Sequence, residues 1–279
     1  MVLEMQKIKL IALDLDGTTL DDSSRLPERT RNILEKAAAR GISIVVASGR
    51  AFTSLPDEVL KLPGVVYAIT SNGSATYDAA SGKRSFDFPM EADKVEEIVA
   101  LLREAPETAV EVFSGGDPHA SCSYLQNPTA YGAPASAVNY LRRTRVPEED
   151  ILGFALENKK HLDSIDIIPQ GPLEKVEWVE KLEKIGDLYL TSSIYYRLEI
   201  SNKNSGKGAA LKKAVELLHV KPEEIVAFGN AENDIDMIQF AGLGVAVDNS
   251  PKIVKQHADR VTASNQEEGV AQVLEELLK

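Results

Sequence analysis

The stretch that decides the fold is KLIALDLDGTTLDD, residues 9–22. Four apolar residues, Leu10 to Leu13, run into Asp14, and Asp16 follows with one apolar residue between. An extended segment alternates its side chains, so Asp14 and Asp16 point to the same side and converge where the strand ends. Carboxylates held that close repel unless a cation or a shared proton intervenes. Gly17 then lets the chain turn sharply. Taken alone, D-x-D-G also fits a turn with an Asx cap, so the motif needs company before it indicates chemistry.

That company comes from the runs ISIVVASGR (42–50), VVYAITSNG (65–73), EEIVAFGNAENDIDMI (223–238), LGVAVDNSPKIV (243–254) and DRVTAS (259–264). Most are apolar runs that end in a polar turn and lead into a segment of helical period. After the first run, for example, a helix is expected from about Pro27, with Ile33, Leu34, Ala37 and Ala38 on one face and Gly41 as its stop. The rhythm is that of βαβ units around a parallel sheet. It breaks after Gly82, where charged amphipathic segments, the loop-rich FSGGDPHASCSYLQNPTAYGAP (113–134) and a further strand-like run, SIDIIP (164–169), read as an inserted α+β unit. The expected organisation is a core of residues 1–83 and 188–279 with an insertion of 84–187.

In open parallel α/β sheets ligands bind beyond the carboxyl ends of the strands. Ser48, Asn72, Asn230 and Asp234 all follow strand-like runs, as Asp14 and Asp16 do. Ser48 offers a hydroxyl and neighbouring backbone N–H groups to an anion, or serves as an N-cap. Arg50 adds positive charge beside it, or closes an ion pair elsewhere. Lys207 opens the helix of SGKGAALKKAVELL (205–218), the end of the dipole that disfavours a cation, and so points to an anionic partner. A phosphate-binding P-loop is excluded, because that pattern needs glycine at 201 and a hydroxyl residue at 208, and this chain has Ser201 and Gly208. Asn230, Glu232, Asn233 and Asp234 offer the oxygen donors that suit Mg2+, and equally the acidic start of a helix.

Composition narrows the class. With 43% hydrophobic and 27% charged residues the chain is expected to fold as a globular protein. The formal net charge of -12 disfavours non-specific attraction to nucleic acid or to anionic membranes. The single cysteine, Cys122, cannot close an internal disulfide, and His119, His161, His219 and His257 show no zinc-ligand spacing. No apolar run approaches the roughly 18 residues of a membrane span, and Asp14 cuts the N-terminal run before it can act as a signal peptide. A cytoplasmic location is the expectation; the oligomeric state is not legible.

In order along the chain, DLDGT, VVASGR, TSNG, the insertion, SGKGAAL, GNAENDIDMI, AGLGVAVDNSPKIVKQHADRVT and EEGVAQVLEELL resemble the haloacid dehalogenase (HAD) superfamily, in particular its Cof-type phosphatases. The likeness covers nearly the whole chain. It implies a Rossmann-like parallel-sheet α/β core with an α+β cap domain inserted after the third core strand. It also implies a Mg2+-dependent phosphomonoesterase acting on a small phosphorylated metabolite, a sugar phosphate among the candidates. Asp14 is then the nucleophile, and Asp16 the general acid and later the general base. Ser48 and Lys207 hold the phosphoryl group, with Gly17 and Gly49 lining it. Asp14, Asp16, Asn230 and Asp234 form the metal set, Asp234 alternatively ordering the lysine. Arg50, Asn72, Asn233 and Asn249 stand around them.

The chain departs from the family pattern at Asn230, where the family usually carries aspartate, and at VDNSP (247–251), where only Asn249 matches the usual residues. A neutral amide in the metal set keeps open a phospho-ligand binding or regulatory protein with weakened catalysis; a sugar phosphomutase, which would need the aspartyl phosphate shielded from water until it passes to a second hydroxyl, is a further alternative. In the insertion, His119, Ser121, Ser123, Tyr124 and Gln126 either read the hydroxyls of a leaving group or form loop surface.

Overall fold

The computed structural model describes residues 8–193 and 196–279. The chain divides by its contacts into two compact units: the described residues up to Arg50 with Leu55–Phe86 and Gly206–Lys279, and Ala51–Ser54 with Asp87–Ser205. In chain order the strands are β1 (Leu10–Asp14), β2 (Ser43–Ala47), β3 (Val65–Thr70), β4 (Ala75–Asp78) and β5 (Arg84–Asp87), followed by β6 (Ala109–Ser114), β7 (Asp117–Ser121), β8 (Val146–Glu148) and β9 (Leu162–Ile168). After them come β10 (Leu188–Thr191), β11 (Leu198–Asn202), β12 (Ile225–Gly229), β13 (Leu243–Ala246) and β14 (Arg260–Val261).

Among the described residues the first unit is built on the sheet β14-β13-β12-β1-β2-β3-β4-β5. β1 pairs in parallel with β12 and β2, in the registers Leu13↔Phe228 and Asp14↔Ala47, and β2 pairs in parallel with β3, Ala47 opposite Ile69. β1 is buried along its whole length, which is why it reads as an unbroken apolar run rather than an alternating one. The registers bring the carboxyl ends of β1, β2, β3 and β12 to one edge, so the polar residues that leave these strands start side by side. The helix Glu28–Ala39 follows Pro27, buries Ile33, Leu34 and Ala37, and ends before Gly41, whose φ is +80°.

The second unit is the expected α+β insertion. Its sheet runs β10-β11-β9-β6-β7-β8, antiparallel except between β7 and β8. Val110, Val112, Ile165, Ile167, Leu198 and Ile200 share a core with Val95, Ile98 and Leu102 of the helix Ala92–Arg103 and Trp178 and Leu182 of the helix Pro172–Ile185. Ala109, Ala120 and Ile168 pack in a separate cluster with Tyr124, Ala133, Leu141 and Tyr196.

The boundaries differ from the sequence expectation. The return to the core falls between Ser205 and Gly206 rather than at 187/188, because β10 pairs with β11 and β11 with β9, completing the inserted sheet. The exit falls after Phe86 rather than at residue 83, because β5 still extends the core sheet beside β4. Among the described residues no helix is long and apolar enough to cross a membrane.

Candidate active site

Asp14 closes β1, and the chain then swings through a wide turn, Leu15–Thr19. The Leu20 N–H donates to the Leu15 carbonyl (2.9 Å) and the Thr19 hydroxyl donates to the Asp14 carbonyl (2.6 Å). The turn depends on Gly17, whose φ is +75° and whose position leaves no room for a Cβ: one placed there would lie 2.4 Å from Asn230 Nδ2. Asn230 of the β12 loop thus packs directly against the β1 loop.

Lys207, the first residue of the helix Lys207–Leu218, projects into this edge and is buried. Its Nζ donates to Asp14 Oδ1 (2.7 Å) and to Asp234 Oδ1 (2.6 Å). Asp234 Oδ2 accepts the backbone N–H groups of Asn230 and Ala231, each at 2.9 Å. Both oxygens of Asp234 are therefore committed, one to the lysine and one to the loop that carries it.

The electrostatics follow from two buried carboxylates around one ammonium. Burial is the largest influence on Asp14 and the Asp234 charge the next; both raise its pKa, Lys207 offsets them only in part, and it stands at about 7. Burial pushes Lys207 towards neutrality, but Asp14 and Asp234 outweigh it and hold its pKa above the ordinary lysine value. Asp14 Oδ2 is buried without a hydrogen bond of sound geometry, and so is the Thr18 hydroxyl. That hydroxyl is near enough to favour the Asp14 carboxylate, as the weakest of the influences on it.

Asp16 behaves differently. Its side chain is 48% exposed, and the Arg50 guanidinium, only 13% exposed, donates Nε (2.8 Å) and Nη2 (2.5 Å) to its two oxygens. The ion pair open to Arg50 in the sequence is thus closed with the second aspartate of the motif. Ser48 is buried; its N–H donates to the Ile69 carbonyl (2.9 Å), and its Oγ accepts the Arg50 N–H (3.1 Å). The Ser48 hydroxyl therefore keeps its own hydrogen for another acceptor.

The asparagines tie the loops together. Asn72 lies in the left-handed region (φ +53°) and accepts from Asn233 Nδ2 at 2.9 Å. A Cβ at Gly49 would sit 3.0 Å from Asn72 Oδ1, so the amide of Asn72 lies over the Ser48–Arg50 turn. Asn249 Nδ2 donates to the Gly17 carbonyl (2.7 Å). Two residues escaped the sequence reading. Thr18 is one more polar residue of the DGTT turn, with nothing in the sequence to set it apart. Asn265 is buried, donates its N–H to Asn249 Oδ1 (3.0 Å) and its Nδ2 to the Leu20 carbonyl (3.0 Å), and sits in a stretch with no motif to mark it.

The residues of the insertion do not gather in the same way. His119 pairs with Glu148 (2.8 Å) and stacks on Phe154, Ser121 caps the helix Cys122–Gln126, and Tyr124 is buried in the apolar cluster.

Among the described residues no three His, Cys, Asp or Glu side chains gather as a metal cluster. Asp14 Oδ2 and the Asn230 amide are donors beside β1, whereas both oxygens of the Asp16 carboxylate accept from Arg50. A hard cation fits the orphaned anionic oxygen, while the neutral amide lowers the charge of the set.

The profile of the haloacid dehalogenase-like hydrolase family matches residues 11–274. The chain is similar to the phosphatase YwpJ of Bacillus subtilis, 30% identical over a gapped alignment of 288 positions that covers 97% of this chain and 100% of that one. It is similar to the 5-amino-6-(5-phospho-D-ribitylamino)uracil phosphatase YcsE of the same organism, 30% identical over 269 residues covering 96% and 94%. A solved structure of a haloacid dehalogenase-like hydrolase from Bacteroides thetaiotaomicron superposes with a TM-score of 0.80 at 26% identity, covering 97% of this chain and 100% of that one. The chain belongs to the haloacid dehalogenase-like hydrolase family, and within it is a phosphatase, a hydrolase of phosphoric monoesters.

Proposed function

We propose that this phosphatase hydrolyses a small phosphorylated metabolite through a covalent aspartyl phosphate on Asp14, with Mg2+ as cofactor. The observation that carries the reading is the asymmetry of the Asp14 carboxylate: Oδ1 is held by Lys207, and Oδ2, buried at the end of β1, accepts no hydrogen bond of sound geometry. Such a group is fixed in direction yet keeps an oxygen whose lone pairs are not engaged, as an attacking nucleophile requires.

An oxygen of Asp14 attacks phosphorus, forming a P–O bond as the bond to the alcohol breaks, and Asp16 gives its proton to the departing oxygen. Water then attacks the same phosphorus and gives a proton to Asp16, the aspartyl P–O bond breaks, and inorganic phosphate leaves with Asp14 restored. Lys207 offsets the anionic charge throughout, and the Ser48 hydroxyl, already accepting from Arg50, donates to a phosphoryl oxygen. Asp14 and Asn230 would hold Mg2+, which when bound supplies positive charge against the transferring group; Asp16, expected among the metal ligands, has both oxygens on Arg50, so its proposed part is the proton transfer. Asp234, expected among the metal ligands, is committed to Lys207 and the loop amides, so its proposed part is to hold the lysine in place.

The phosphorylated ribityl chain in the compound for which YcsE is named supports placing sugar and polyol phosphates first in a substrate panel. One observation favours a second reading. The neutral amide of Asn230 fits a phospho-ligand binding protein with slow turnover. Release of inorganic phosphate from the panel, with Mg2+ and with a chelator, separates the two. Magnesium-dependent release supports the hydrolase; tight phosphate binding without release supports the alternative.

A further inference from the structure

We propose that Arg50 is the positioning residue of Asp16, setting the direction in which this carboxyl group faces the leaving alcohol. The inference rests on the hydrolase reading above and deepens it. Arg50 is fixed at both ends of its backbone: its N–H donates to Ser48 Oγ (3.1 Å) and its carbonyl accepts the Ser71 N–H (2.9 Å). From that anchored turn the side chain crosses to the β1 loop, where Nε and Nη2 grip both oxygens of Asp16 and Nη2 also reaches Ser24 Oγ (3.2 Å).

An ion pair whose carboxylate is half exposed contributes little to stability. Its consequence is geometric. A planar guanidinium bonded through two parallel N–H groups defines the plane of the carboxylate it holds, which an ammonium cannot do. Asp16 sits on a loop with its side chain open to solvent, whereas Asp14 is buried and held by Lys207. Of the two carboxylates, Asp16 is therefore the one whose rotamer needs an external hold, and Arg50 supplies it from the same turn that presents Ser48.

The test compares two substrates that differ in their need for an acid: an alkyl phosphate, whose leaving alkoxide must be protonated, and a nitrophenyl phosphate, whose leaving group departs without help. For Arg50→Ala, kcat on the alkyl ester should fall by about ten- to a hundred-fold, within the range of lost general-acid assistance, while kcat on the aryl ester changes less than about three-fold. Arg50→Lys, which keeps the charge and loses the fork, should restore only part of the alkyl activity, and it carries the same comparison should Arg50→Ala not fold. In an Asp16→Asn background, Arg50→Ala should have no further effect on the alkyl ester.

Equal losses on both esters, a rise in KM with kcat unchanged, or full additivity with Asp16→Asn would each overturn the proposal, since Arg50 would then act on the phosphoryl group itself. A wild type that cleaves neither ester removes the hydrolase reading, and this inference with it.

Discussion

Each unit of the chain buries a cluster of charges. In the first, Lys207 lies between Asp14 and Asp234. In the second, Glu111, Asp166 and Glu199 stand opposite one another on β6, β9 and β11, all buried, with Arg145 and Arg197 against them. Like charges directly opposite across strands destabilise a sheet, so both clusters need their cations. Arg145 donates Nε (3.0 Å) and Nη2 (2.6 Å) to Glu111 Oε2, and Arg197 bridges Glu111 Oε1 and Asp166 Oδ2, each at 3.2 Å. Glu199 accepts the N–H (2.7 Å) and hydroxyl (2.5 Å) of Ser193. Burial pushes Glu111 up, but Arg145 and Arg197 outweigh it and its pKa is lowered; on Asp166 burial dominates, with Glu199 and Glu111 adding to it, and its pKa is raised well above the ordinary value.

The difference lies in what is left unpaired. None of those three carboxylates keeps a buried oxygen without a partner, the unpaired atom of that cluster being a donor, Arg197 Nε, whereas Asp14 Oδ2 is an unpaired acceptor. A network whose carboxylates are all paired specifies a structure and holds it; one that leaves a carboxylate oxygen unpaired holds a reactive group in a state the fold alone does not satisfy.

The sharpest way to break the contrast is Asp14→Asn, which keeps the shape of the side chain and removes its nucleophilic charge. Turnover should fall by at least about a thousand-fold with circular dichroism unchanged. Residual activity near the wild-type level would make the orphaned oxygen irrelevant.

On the other side, Glu111→Ala strands Arg145 in a buried site and leaves Arg197 with Asp166 as its remaining carboxylate, and the loss in unfolding free energy should be about 3–5 kcal/mol. Urea denaturation measures it. A loss below about 1 kcal/mol, the scale of exposed pairs, would mean that the buried pairs of the second cluster do not hold the fold.

How far the two clusters were legible differs for a physical reason. Asp14, Ser48, Asn230 and Lys207 each stand where an apolar run or a helix begins or ends, and a parallel sheet gathers such ends at one edge. Glu111, Asp166 and Glu199 lie inside strands, alternating with Val110, Val112, Ile165, Ile167, Leu198 and Ile200. Alternation of charged and apolar residues is what a half-exposed strand also shows, so nothing local marked these acids as buried. The same ambiguity hid β10 and β11 as members of the inserted sheet. Arg50 was visible as a charge, but its partner lies 34 residues away, and the left-handed backbone of Asn72 has no signature in its neighbours.

A third comparison uses pH on the metal-free protein. Asp14 stands at about 7 in the folded chain against an ordinary 3.8. The folded form therefore retains a proton that the unfolded chain releases, so this group's contribution to stability is full below about 4 and is lost as pH rises through about 7. The thermal midpoint of Asp14→Asn should gain on wild type across that window and hold a constant difference above it. A constant difference at every pH would remove the electrostatic description of the site.

The smallest expected effect is at the metal. Asn230→Asp adds one negative charge beside Gly17 and should tighten Mg2+ binding about ten-fold by calorimetry, since ligand charge sets affinity in oxygen sites. Unchanged or weaker binding would show that residue 230 does not touch the ion.

The most direct measurement is an acid quench during turnover followed by peptide mapping by mass spectrometry. A phosphoryl group on the Asp14 carboxyl of the β1 peptide, absent in Asp14→Asn, is the predicted result. A wild type that turns over rapidly while no phosphoryl group is ever found on Asp14 would contradict the covalent route.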